Sequence, residues 1–202
     1  MITSLEKLQL AGVEIEKIKI NQVINSEAGK AKLIADTNTC DILIFSCPLY
    51  IDSTPASVIK AMEIIAREGY GRGTPTNRVM LAICNSGFPE AHQNHTALAI
   101  YRCFAKEAGF EWAGGLALGG GGSIDGRPLK SLGGMVRNII KSLDLTAAAI
   151  IEGESIPEQA VKLMAKPIVP NWLYMLFGNL LWRGQAKQYG TQKKLNDRPY
   201  QI

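Results

Sequence analysis

The sequence predicts an α/β domain built on a parallel sheet. Three short apolar runs lead there: Asp41–Ser46, Arg78–Cys84 and Trp112–Leu118 each have strand length. Each is followed by turn residues and then by a stretch with helical spacing, the alternation that builds βαβ units. The first run, Asp41-Ile-Leu-Ile-Phe-Ser, is nearly continuous and rich in β-branched and aromatic residues. That composition suits a strand buried on both faces of a parallel sheet. At 202 residues the chain has room for one full core.

The elements follow in order. Met1–Gly12 reads as a short amphipathic helix, with Ile2, Leu5, Leu8 and Leu10 apolar and Gly12 suited to its end. Val13–Ile20 alternates apolar and charged residues and predicts a strand near a sheet edge. Ser26 caps a helix to Asn38, weakened by Gly29. Pro48 cannot donate to a ladder, so the first apolar strand ends there. Tyr50–Thr54 is a polar turn; Thr54 fits an N-cap, Pro55 the first helical position, and Val58, Met62 and Ile65 recur at helical spacing. Gly69–Thr76 is a connector by composition.

Ala91–Ala108 predicts a helix closed by Gly109, with Leu98, Tyr101 and Ala105 on one stripe. Pro128–Ile151 predicts another, with a weak point at Gly133-Gly134. Ser155-Ile-Pro-Glu158 has capping-box spacing, so a helix should run from there to about Lys166. Residues 1–154 are read as the α/β domain and 155–202 as a helical extension packed on it.

Three loop motifs, in this order, resemble the flavodoxin-like NAD(P)H-dependent FMN reductases and quinone reductases. They are Pro48-Leu49-Tyr50 with its polar loop, Leu81-Ala-Ile-Cys-Asn-Ser-Gly-Phe-Pro-Glu90, and the late strand Gly109–Leu118 with its glycine loop. Together they cover roughly Val13 to Leu145. The resemblance implies a three-layer α/β/α domain with sheet order 2-1-3-4-5, FMN at the strand ends, NADH or NADPH as donor, and a homodimer.

Against that pattern the first strand and its phosphate-binding loop are missing. Removing the middle strand would leave a gap of about 9.6 Å, two strand spacings. It would also remove the helix N-terminus that holds the FMN phosphate. Two explanations stay open. Either Met1 is an internal methionine of a longer natural chain, lacking about 20–30 residues here, or the protein is this short and Val13–Ile20 pairs directly with Asp41–Ser46.

FMN needs a flat apolar platform for its ring and hydrogen-bond donors at its N1/O2 edge, where the reduced ring carries negative charge. The residues expected to meet it are Pro48, Leu49, Tyr50 and Ile51 on the first loop and Asn85, Ser86, Gly87 and Phe88 on the second. Asp52 and Ser53 read as turn and cap. His92, Gly120 and Gly121 are candidates for the substrate side. Gly119-Gly-Gly-Gly-Ser-Ile-Asp-Gly126 lacks the P-loop pattern and reads as a mobile loop over the site, with a phosphate cradle as the alternative. His92-x-x-His95 with Glu90 offers fewer supported ligands than a zinc site wants, so no metal is expected. No catalytic side chain is assigned, because the cofactor would supply the chemistry.

Cys40, Cys47, Cys84 and Cys103 lack paired spacing and read as reduced core residues of a cytoplasmic protein. The net charge of +4 reads as small and dispersed, too weak to argue for nucleic acid. Pro170–Gly184 is unusually apolar but too short to span a bilayer. It reads as a packing or dimer helix, or as a membrane-surface helix with Lys187, Lys193 and Lys194 nearby.

The leading function is hydride transfer from NAD(P)H through FMN to a small acceptor such as a quinone or flavin. The alternative is a non-catalytic or truncated flavodoxin-like interaction module.

Overall fold

The computed structural model describes residues 13–68, 77–124, 126–198 and 200. The helix expected over Met1–Gly12 and the connector expected over Gly69–Thr76 lie outside them. The chain divides into two units, Met1–Ile168 and Val169–Ile202.

In the first unit, β1 (Ile42–Pro48), β2 (Val79–Asn85) and β3 (Glu111–Leu118) form a parallel sheet in the order β1-β2-β3. Strand side chains alternate between two faces, and both are covered. Phe45, Met80, Ala82 and Cys84 point into a cluster with α2 (Glu27–Thr39), α3 (Ala56–Glu68) and α4 (His95–Glu107). Leu81, Ile83, Leu116 and Leu118 meet the opposite layer, α5 (Arg137–Ile151) and α6 (Glu158–Met164). This is the three-layer α/β/α sandwich that the sequence predicts.

Local chemistry explains the helix ends. Ser26 Oγ accepts from Gly29 N at 3.1 Å, capping α2. Gly29 is required rather than merely tolerated: a Cβ there would lie 2.2 Å from the Val23 carbonyl oxygen, at the end of the short helix α1 (Ile20–Val23). After α4, Gly109 takes φ 75°; its N–H donates to Lys106 O and Phe110 N–H to Ala105 O. That is a Schellman ending.

Several expectations fail for identifiable reasons. Val13–Lys19 forms no strand. Among the described residues the sheet holds only β1, β2 and β3, and Val13–Lys19 does not pair with Ile42–Pro48. Nor is β1 buried on both faces. It pairs only with β2 among the described residues, and only Phe45 of its seven residues is buried. Thr54 is not simply a cap: its hydroxyl hydrogen-bonds the buried Tyr101 hydroxyl, and α3 takes its first helical bonds on Pro55 O.

The helix read from Pro128 is a 3-10 run, Leu129–Val136, kinked at Gly133, before α5 begins. Ser155 caps nothing, because Ile156 N–H pairs with Ala113 O of β3 and holds this segment extended; α6 starts later, behind Pro157. Ser142 Oγ donates to Ala160 O at 2.7 Å and fastens α5 to α6.

In the second unit, α7 (Asn171–Gln188) leads to a 3-10 turn, Gln192–Lys194. No helix among the described residues is long and apolar enough to cross a membrane.

All four cysteines are free, but Cys103 is exposed on α4 rather than in the core. Cys47 and Cys84 are register partners on adjacent strands. Burial, with the neighbouring Cys47, pushes the Cys84 thiol from 9.0 up to about 12. Burial, then Cys47, also raises the Tyr101 phenol. Both groups stay protonated in the folded chain after the unfolded chain has lost its protons. The stability they contribute is therefore complete below about pH 9 and is lost as pH climbs toward 12. Urea midpoints should fall between about pH 8 and about pH 10.5, and Tyr101→Phe or Cys84→Ala should make that fall shallower. Slopes identical to the parent chain would contradict this assignment.

Candidate functional site

Pro48, Asn85 and Leu118 end their strands in register, Pro48 opposite Asn85 and Asn85 opposite Leu118. The three loops that follow therefore leave from one rim. Leu49 N–H donates to Asn85 O at 2.8 Å, carrying the β1–β2 contact one residue past the strand.

The first loop is a tight turn. Tyr50 N–H donates to Ser53 O at 2.8 Å, and Ser53 N–H to Tyr50 O at 3.1 Å. Ile51 and Asp52 between them have φ of 47° and 58°, the signs of a type I′ turn. A β-branched residue is strained there, at a cost of roughly 1–2 kcal/mol. Ile51 recovers nothing by packing, since it is 99% exposed. Strain held at a ligand-facing rim is a recurrent functional signature. Its result is that Tyr50 stands exposed and that the adjacent N–H groups of Ile51 and Asp52 have no hydrogen-bond partner among the described residues. Below the turn, Thr54 and Tyr101 anchor its base, with Tyr101 packed on Phe45 at 5.2 Å between ring centroids.

The second loop is held from beneath. Ser86 is buried; its N–H donates to Leu118 O at 3.0 Å and its Oγ to Phe88 O at 3.2 Å. Ser86 therefore fixes the loop, while Phe88 is exposed and Gly87 fronts open space, with no atom within 4 Å of a Cβ built there.

The glycine loop is neither a free lid nor an open phosphate cradle at its start. Gly120 N–H donates to Phe88 O at 2.6 Å and Gly121 N–H to Ser86 O at 2.8 Å, so these donors are already used. Asp125 lies outside the described residues.

One residue that sequence reasoning missed binds these pieces. Asn94 is fully buried, and its Nδ2 donates to Ala91 O and Leu118 O, both at 3.1 Å, and to Ser86 Oγ at 3.4 Å. Its Oδ1 has no partner. Its only sequence signal is an amide at the join between the 3-10 turn Ala91–Asn94 and α4. His92 and His95 on the same segment are exposed, with ring centroids 6.3 Å apart. Among the described residues no group of three His, Cys, Asp or Glu side chains is placed to hold a metal ion.

The rim's rigidity has a direct test. A Cβ on Gly119 would lie 2.2 Å from Pro89 O, a backbone atom that cannot rotate away. Gly119→Ala should lower stability by about 1–3 kcal/mol. Gly134→Ala, which meets no atom within 4 Å, should change it little. Equal effects in denaturant unfolding would refute the close approach.

A known structure shares this architecture. The chain is similar to an FMN-dependent NADH-azoreductase from Bacillus anthracis solved in complex with FMN, with a TM-score of 0.53 and 14% identity. That match covers 74% of this chain and 87% of the azoreductase. The azoreductase AzrA aligns over 80% of this chain and 73% of its own, at a TM-score of 0.39 and 16% identity. No protein-family model matches the chain, and no curated protein matches it. At 14% identity the first of these likenesses speaks for the fold alone, a flavodoxin-like α/β/α arrangement.

Proposed function

We propose that this chain is a flavin oxidoreductase, passing hydride from NADH or NADPH through FMN to a small acceptor such as a quinone or another flavin. The observation that carries the reading is the common rim. An exposed tyrosine on a strained turn and an exposed phenylalanine beside open space follow two adjacent, register-matched strand ends. The likeness in fold to a protein solved with FMN supports it.

The residues suit the ring of FMN. Tyr50 and Phe88 offer flat apolar surface. Ile51 and Asp52 offer two neighbouring N–H donors for the electron-rich ring edge, in place of Pro48, which has no N–H, and Leu49, whose N–H is used by Asn85. FMN, when bound, supplies the hydride and electron chemistry. The chain's own task is to orient the ring and stabilise charge on it, which requires no nucleophile.

The phosphate is served less well. Among the described residues no strand lies on the outer edge of β1, and the Gly120 and Gly121 amides are occupied. That favours a second reading, a flavodoxin-like interaction module without turnover.

Flavin titration of the purified chain separates the two. On the first reading FMN and riboflavin both bind, with affinities within about tenfold of each other because the phosphate gains little. NADH or NADPH is then oxidised, and Tyr50→Ala weakens binding by about tenfold through loss of ring contact. No flavin binding and no oxidation would leave the interaction module.

A further inference from the structure

The second unit carries the charge of the molecule. Val169–Ile202 has Arg183, Lys187, Lys193, Lys194 and Arg198 against a single acid, Asp197, so its net charge of +4 equals that of the whole chain. Met1–Ile168 is neutral overall. The charge is therefore not dispersed, as a first reading of the composition implies; it is gathered on one short segment.

The same segment exposes a run of large apolar side chains. On α7, Trp172, Met175, Phe177, Leu180, Leu181 and Trp182 are all exposed, the two tryptophans 69% and 70%. Within this unit the only other regular element among the described residues is the 3-10 turn Gln192–Lys194, too small to cover them. The apolar residues run around the helix rather than along one stripe, so water is a poor solvent for every side of it. From Trp172 to Trp182 the helix rises about 15 Å, half of a bilayer's hydrocarbon thickness. No acid lies on α7, and every basic residue of the unit follows the apolar stretch.

We infer that this unit docks on an anionic membrane surface, with Trp172–Trp182 entering one leaflet and the Arg183–Arg198 cluster lying among the headgroups. Charge complementarity selects this occupant. A second copy would cover apolar surface but bring two +4 units together. A lipid surface covers the same residues and neutralises the charge. Interfacial tryptophans with basic residues close behind are the arrangement such surfaces favour.

The test uses the full chain with phosphatidylcholine vesicles, with and without phosphatidylserine. Co-sedimentation and a blue shift of tryptophan emission are expected with phosphatidylserine, and both should weaken as salt is raised. Lys193→Glu with Lys194→Glu should cut binding at least about tenfold while leaving the circular dichroism unchanged. Leu181→Asp, at an exposed position, should also weaken it. No binding to the anionic vesicles, or equal binding to both vesicle types, overturns the inference. So does a stable dimer in sedimentation equilibrium that shields the tryptophans and does not bind vesicles. None of these outcomes depends on flavin, so they stand apart from the oxidoreductase reading.

Discussion

The candidate site depends on one buried amide. Asn94 sits where the loop after β2, the end of β3 and the start of α4 converge, and its Nδ2 reaches an oxygen on each. A parallel sheet aligns strand ends but leaves its loops separate. Here Asn94, with the Ser86, Gly120 and Gly121 backbone bonds, joins two of the three loops into one ledge. The cost is an unsatisfied Oδ1, about 1–3 kcal/mol for a buried acceptor. In the same network the Phe88 carbonyl accepts from Ser86 Oγ and from Gly120 N–H, which fixes the backbone at Phe88.

The chemistry beneath the rim is quiet by design of the packing. Burial raises the thiols of Cys47 and Cys84 and the phenol of Tyr101. A raised thiol is a poor nucleophile at neutral pH. The groups directly under the ledge therefore act as wall and anchor.

What could be read from the sequence follows the reach of each interaction. The three strands and the helices behind them were legible because their signals are local: short apolar runs, a serine at an N-cap, a glycine closing α4. Features set by distant partners were not. Val13–Lys19 has a strand's pattern but pairs with no strand among the described residues. Ser155 has a cap's spacing, yet Ile156 is claimed by β3. Thr54 turns to Tyr101, far along the chain. Asn94 looks like any polar residue near a helix start, and its importance appears only where the segment after β2 meets the end of β3 around it. The rim residues themselves were legible by type, but the used N–H of Leu49, the inward Ser86 and the pinned Gly120 and Gly121 required coordinates. The strain at Ile51 likewise has no sequence signal, since isoleucine is a poor choice for a left-handed turn.

Tyr50–Asp52 and Phe88 are proposed to meet the flavin ring together. Amide chemical-shift mapping of the isotopically labelled chain during titration with FMN tests it residue by residue. The account predicts the largest shifts at Tyr50, Ile51, Asp52 and Phe88, with smaller ones at the bonded amides of Ser86 and Gly120. Binding that moved amides elsewhere, and left the Tyr50–Asp52 turn unperturbed, would contradict it.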